Sequence, residues 1–167
     1  MARRDLDRAV QPSLVDRLSD HAPTQRLEPA ATFAASRRAY RESVQRDLEW
    51  LLNTRRTAVL APAGLPEVRH SVHEFGLENT TAVYMGSAEN RQQLQDAIAD
   101  TIARFEPRLT QVRVRLIEAD QKSAPQLRFV IDALLRMDPD PERVVFDSVF
   151  DTAHGACSVA DGTGPDA

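Results

Sequence analysis

The spacing of apolar residues changes period near residue 110, and that change divides the chain into a helical part and a stranded part. Tyr40, Val44, Leu48, Leu51 and Leu52 recur at helical spacing after Ser36, with Arg41, Gln45, Arg46 and Glu49 on the opposite side. That pattern predicts a long amphipathic helix. A shorter helix is expected to start at Pro66 and stop at Gly76, with Val68, Val72 and Phe75 as its buried stripe. Ser87 is placed to cap a third helix whose apolar face is Leu94, Ile98, Ile102 and Phe105, and Pro107 ends it. Upstream, Pro12-Ser13 opens a short amphipathic helix over 13–19 that carries Leu14, Val15 and Leu18.

Beyond Pro107 the apolar positions alternate. Val112, Val114 and Leu116, then Leu127, Phe129 and Ile131, then Val144, Phe146 and Ser148 predict three strands, and 156–159 predicts a fourth. The connections over 120–125 and 137–141 are turn-rich and of hairpin length. The fold expected is α+β: N-terminal helices packed on a small antiparallel or mixed sheet meander in the C-terminal half. Residues 1–35 read as an arm and linker holding the short helix, 36–159 as the domain, and 160–167 as a disordered tail.

Charge narrows the function. The 21 basic residues against 25 acidic ones give a net charge of −4, which opposes nucleic-acid binding through a bulk positive field. All of the basic residues except Lys122 are arginine, the cation better suited to forked hydrogen bonds at protein interfaces. If the strands align, Arg113, Arg115 and Arg128 share one sheet face, solvated or turned to an acidic partner. The single cysteine, Cys157, excludes a disulfide framework or a cysteine-rich zinc site. No apolar run is long enough to span a bilayer, and the first residues lack a secretory pattern, so a cytoplasmic protein is expected.

Candidate chemistry is sparse. His70 and His73 lie three apart beside Glu74, without a third zinc ligand in a recognised spacing, and read as a polar helix face. Cys157 reads as a packing residue. Asp151 and His154 lack a partner serine in a G-x-S-x-G turn, and the six glycines are too scattered for a phosphate loop. A glycosidase needs two carboxylates across a cleft, and Glu49 and Glu106 are the two acids closest to apolar neighbours. No catalytic, metal or cofactor residues are assigned. The segment Phe105-Glu106-Pro107-Arg108-Leu109 stands apart: proline fixes the backbone between opposite charges, giving a stiff corner between the last helix and the first strand. By itself it is a helix stop with an exposed ion pair.

Several strings resemble one family. Residues 43–55, Ser-Val-Gln-Arg-Asp-Leu-Glu-Trp-Leu-Leu-Asn-Thr-Arg, are similar to a helix of the TssE family, with Gln45 in place of the usual arginine. The strings at 12–18 and 71–77, the Glu106-Pro107-Arg108 corner and Val145-Phe146-Asp147-Ser148 follow in the family's order. These proteins are baseplate subunits of bacterial type VI secretion systems, related to a wedge protein of contractile phage tails. The resemblance implies a non-enzymatic wedge component at the foot of a membrane-docked machine, without cofactors. Its implied partners are TssF, TssG and TssK, together with the contractile sheath whose assembly it seeds. Glu106, Pro107 and Arg108 are then expected to bond a wedge partner. The strand margin at Val144, Val145 and Phe146 is expected to accept a neighbour's arm. The rival reading is a peptidoglycan-cleaving, lysozyme-like glycosidase.

Overall fold

A computed structural model describes residues 9–19, 23–24, 32–78, 88–117, 126–151 and 154–162. Helix α1 (Leu14–Leu18) is capped by Ser13, whose hydroxyl accepts from the Asp16 amide at 3.2 Å. Helix α2 (Phe33–Asn53) begins three residues before Ser36, because Thr32 caps it by accepting from the Ala35 amide at 3.2 Å. Ser36 is instead buried inside the first turn. Its hydroxyl donates to the Phe33 carbonyl and accepts from the Val10 amide, which ties the end of the N-terminal arm to α2. Val44, Leu48, Leu51 and Leu52 form the buried stripe that the spacing predicts.

The single helix expected from Pro66 to Gly76 is two pieces: α3 (Pro66–Arg69) and a 3₁₀ turn over Val72–Glu74. Ser71 interrupts it by accepting from the His73 amide at 3.2 Å, a local bond that competes with helix continuation. The break turns Val72 out to 90% exposure, so it leaves the expected stripe, while Glu74 turns inward. Gly76 has φ of +104°, and a Cβ there would lie 2.2 Å from the Thr54 carbonyl oxygen. Only glycine lets Leu77 reach that carbonyl, its amide donating at 2.8 Å while the Arg56 amide donates back to Leu77 at 2.7 Å. Helix α4 (Ala88–Phe105) buries Leu94, Ile98 and Ile102 as expected. Its proposed cap, Ser87, lies outside the described residues, as do 120–125.

Strands β1 (Leu109–Ile117), β2 (Gln126–Leu135), β3 (Glu142–Asp151) and β4 (Ala156–Asp161) form one antiparallel meander in that order. A bulge between Thr110 and Arg113, with Gln111 at φ of 53°, shifts the register of β1. The pairs Ile131↔Phe146, Ala133↔Val144 and Ser148↔Val159 line the inner face, against which α2 and α4 pack. Arg113, Arg115 and Arg128 share the outer face with Asp132 and Asp147, as the alternation requires.

Two expectations are corrected here. Strand β4 runs on through Ala160 and Asp161, and the Gly162 amide donates to the Val145 carbonyl at 2.9 Å, so order continues past 160. Residues 163–167, like 1–8, 20–22 and 25–31, lie outside the described residues. The margin expected at Val144, Val145 and Phe146 is not a margin. Strand β3 is hydrogen-bonded to β2 on one side and β4 on the other, and these residues are 0%, 8% and 0% exposed. The fourth strand is longer than the pattern suggested and takes the position on which that expectation rested. Among the described residues the sheet's margins are β1 and β4.

Candidate functional site

The last helical amide bond of α4 joins Glu106 N to the Ile102 carbonyl at 2.8 Å, and Pro107 stops the helix one residue later. Leu109 then donates to the Glu106 carbonyl, and Arg136 donates to the Arg108 carbonyl, so the corner is pinned to the far end of β2. Within it the Glu106 carboxylate is buried at 4% exposure and accepts from the Arg108 amide and from both Nε and Nη2 of Arg108.

The guanidinium reaches further. Nη2 also donates to Asp47 Oδ2 at 2.6 Å, Nη1 donates to Ser43 Oγ at 3.1 Å, and the group lies 5.8 Å from the Tyr40 ring centroid. Burial alone disfavours the guanidinium charge, but the hydrogen bonds and charges of Glu106 and Asp47 outweigh it and raise the Arg108 pKa above its ordinary value. Asp47 in turn accepts from Arg46, which pairs with Asp16 at 2.8 Å. Burial works against ionised Asp16, yet its bonds to Ser13 and Arg46 hold its pKa below the usual carboxylate range. A continuous chain of charges, Asp16, Arg46, Asp47, Arg108 and Glu106, thus fastens α1 and α2 to the corner.

The expected exposed ion pair is therefore a buried intrachain fork, and the charged groups of Glu106 and Arg108, expected to bond a wedge partner, are instead engaged with each other and with Asp47 and Ser43 of the same chain. Pro107 alone of the three corner residues is exposed. Asp47 and Ser43 carried no expected role and Tyr40 was expected only in the apolar stripe, although their spacing of three and four residues places the three on one helix face.

Around this network lies an open, mainly apolar groove of about 630 Å³ between α1, the second half of α2 and the corner. Val15, Trp50, Leu51, Phe75, Phe105 and Pro107 supply its apolar lining. Trp50 is 72% exposed and Val15 68% exposed. Trp50 lies on α2, and α1, which carries Val15, is joined to α2 by the Arg46–Asp16 pair. Phe75 and Phe105 pack edge to face with centroids 5.3 Å apart, forming a stiff wall. Trp50 had no expected role; the signal that points to it is an aromatic residue lying off the apolar stripe of the helix.

The other candidates take structural roles. Glu49 accepts from the Val159 amide at 3.1 Å and Glu106 is held in the Arg108 fork, so both carboxylates of the proposed glycosidase pair are engaged within the fold. His73 Nε2 bonds the Val59 carbonyl at 2.9 Å, whereas His70 is exposed. Asp151 and His154 do meet, at 2.8 Å on a turn where His154 is largely exposed. Glu74 accepts from the Ala61 amide and from Arg104, and the amide bond, ahead of the nearby arginine charges, holds its pKa low. Cys157 is buried between β3 and α2, and burial pushes its thiol pKa up to about 12. Among the described residues no helix is long and apolar enough to cross a membrane.

The model of one family, described as baseplate wedge protein gp25, matches residues 38–140, from within α2 to the β2–β3 connection. None of the curated proteins compared with the chain matches it.

Proposed function

Because this chain belongs to the baseplate wedge protein gp25 family, we propose that it is the TssE-type wedge subunit of a type VI secretion baseplate, joining the other wedge subunits and seeding the sheath. The family role is structural, and the observation that supports docking at the corner is the open groove walled by Trp50, Val15, Phe75, Phe105 and Pro107. Large exposed apolar residues gathered in one groove are the usual anchors of protein interfaces. In this reading Glu106 and Arg108 shape the groove from beneath, and Pro107 and Trp50 meet the partner, TssF or TssG. The strand offered to the sheath is β1, a margin of the meander, in place of the interior β3. TssK enters as a further baseplate contact. The subunit works in the cytoplasm at the foot of a membrane-docked machine, without catalysis or a cofactor of its own.

The test is co-purification. Trp50→Ala and Pro107→Ala, both at exposed positions, are expected to lower recovery of TssF and TssG at least about tenfold while the melting temperature stays within a few degrees of the parent. Undiminished recovery by the folded double variant overturns the docking role of this groove.

A further inference from the structure

The two margins of the sheet are treated differently. Within a strand at a sheet edge, every second residue points its amide and carbonyl away from the sheet, where another strand can add. In β4 those residues include Cys157 and Val159, and each has both backbone groups bonded to a side chain of α2. Asn53 donates to the Cys157 carbonyl at 2.7 Å and accepts from the Cys157 amide at 2.8 Å. Glu49 accepts from the Val159 amide at 3.1 Å, and Gln45 donates to the Val159 carbonyl at 2.8 Å. One turn earlier, Arg41 pairs with the Asp161 carboxylate.

The spacing explains how a helix does this. Residues four apart on a helix rise about 6.0 Å, and residues two apart on a strand advance about 6.6 Å. A polar stripe at 41, 45, 49 and 53 therefore runs alongside outward residues 161, 159 and 157 of a strand antiparallel to it, with Gln45 and Glu49 sharing Val159. The apolar stripe of α2 buries against the inner face, while this adjoining stripe supplies the donors and acceptors of an absent fifth strand. On β1 the corresponding side-chain bond is the one from the Leu116 amide to Gln95 Oε1 at 3.1 Å. The outward groups of Val112 and Val114 are bonded to no side chain among the described residues.

We infer that Gln45, Glu49 and Asn53 act as a strand surrogate that closes β4, so that strand addition to this protein is confined to β1. The strand kept out is β4 of a second copy, whose own outward groups are the matching self-complementary set. This inference concerns the isolated chain and stands or falls separately from the identity of any baseplate partner.

Two measurements on the full chain test it. In hydrogen exchange of the parent, the Cys157 and Val159 amides are expected to be protected although they face away from β3. Glu49→Ala is expected to speed exchange at Val159 roughly tenfold, the loss of about one hydrogen bond, and Glu49→Gln, which keeps an acceptor oxygen, is expected to restore protection. In the second, Glu49→Ala/Asn53→Ala is expected to dimerise with concentration in light scattering, and Ser158→Cys added to it is expected to crosslink two copies. The same cysteine in the parent background is expected to leave the chain monomeric. A folded double variant that stays monomeric overturns the inference, and so does free exchange of Val159 and Cys157 in the parent. If the double variant does not fold, the Val159 amide in Glu49→Ala decides: unchanged exchange overturns the surrogate, and a rise reversed in Glu49→Gln supports it.

Discussion

Arg108 grips the carboxylate of Glu106, two residues before it, through two separate nitrogens, Nε to Oε1 at 2.6 Å and Nη2 to Oε2 at 2.5 Å. A fork of this kind needs a planar guanidinium and a tight backbone turn, and the bonds from the Arg108 amide to Glu106 Oε1 and from the Leu109 amide to the Glu106 carbonyl hold that turn closed. The same guanidinium ties Asp47 and Ser43 of α2 to the start of β1, so the corner is a structural joint before it is anything else.

Removing that joint therefore destabilises the fold. Arg108→Ala leaves the Glu106 carboxylate buried without its cation, at a cost of about 3 kcal/mol. Arg108→Lys keeps the charge but loses the fork, and is expected to cost about 1–2 kcal/mol. Urea titrations of the three proteins check this ranking. A parent-like midpoint for Arg108→Ala would show the fork to be dispensable. Loss of partner binding in such a variant then reports folding as well as docking, which is why Trp50 and Pro107 are the cleaner probes.

The change from helical to alternating periodicity made the α+β order and the inner-face residues legible, because burial on one face imposes those periods directly. Glu106-Pro107-Arg108 was also legible as a stiff corner. Its burial was not, since Asp47 and Ser43 lie more than sixty residues away in sequence and only the packing of α2 brings them there. The margin was misplaced for a related reason: whether β3 is an edge depends on how far β4 runs, and Ala160, Asp161 and Gly162 carry little apolar signal. The break at Ser71 came from a single side chain competing for the His73 amide, below the resolution of an apolar pattern.

Ser148 offers a second test. It is 1% exposed on the inner face between Phe129 and Val159, and its hydroxyl has no hydrogen-bond partner among the described residues. A buried hydroxyl without a partner costs about 1–3 kcal/mol in desolvation, and alanine removes it with little loss of volume. Ser148→Ala is expected to leave stability unchanged or raise it by about 1 kcal/mol, read as an equal or higher melting temperature. A clear fall would reveal a partner for the hydroxyl.

Cys157 is expected to behave as an inert packing residue. Burial, with the Glu49 charge as a smaller contribution, holds the thiol protonated far above neutral pH, and only the thiolate attacks alkylating reagents. Iodoacetamide at pH 8 is expected to modify the native protein far more slowly than the urea-unfolded chain. Equal rates would place the thiol at the surface.

The acid limb of stability has a nameable contributor on the outer sheet face. Asp132 lies opposite Arg113 and accepts from Nε and Nη2 of Arg143 at 3.1 and 2.8 Å. These bonds, with the charges of Arg143, Arg115 and Arg113, outweigh the effect of burial and lower its pKa. A carboxylate with a depressed folded pKa binds fewer protons than its unfolded counterpart, so its contribution is full above about pH 4 and is lost as pH falls through the folded value. Because the pair is partly exposed, that contribution is under about 1 kcal/mol. Asp132→Asn is expected to be less stable than the parent by that amount at pH 7, and the two urea midpoints are expected to approach each other as pH falls below the usual carboxylate range and through the folded pKa of Asp132. A gap that stays constant from pH 7 to pH 2 would mean that the aspartate acts through packing, with its charge playing no part.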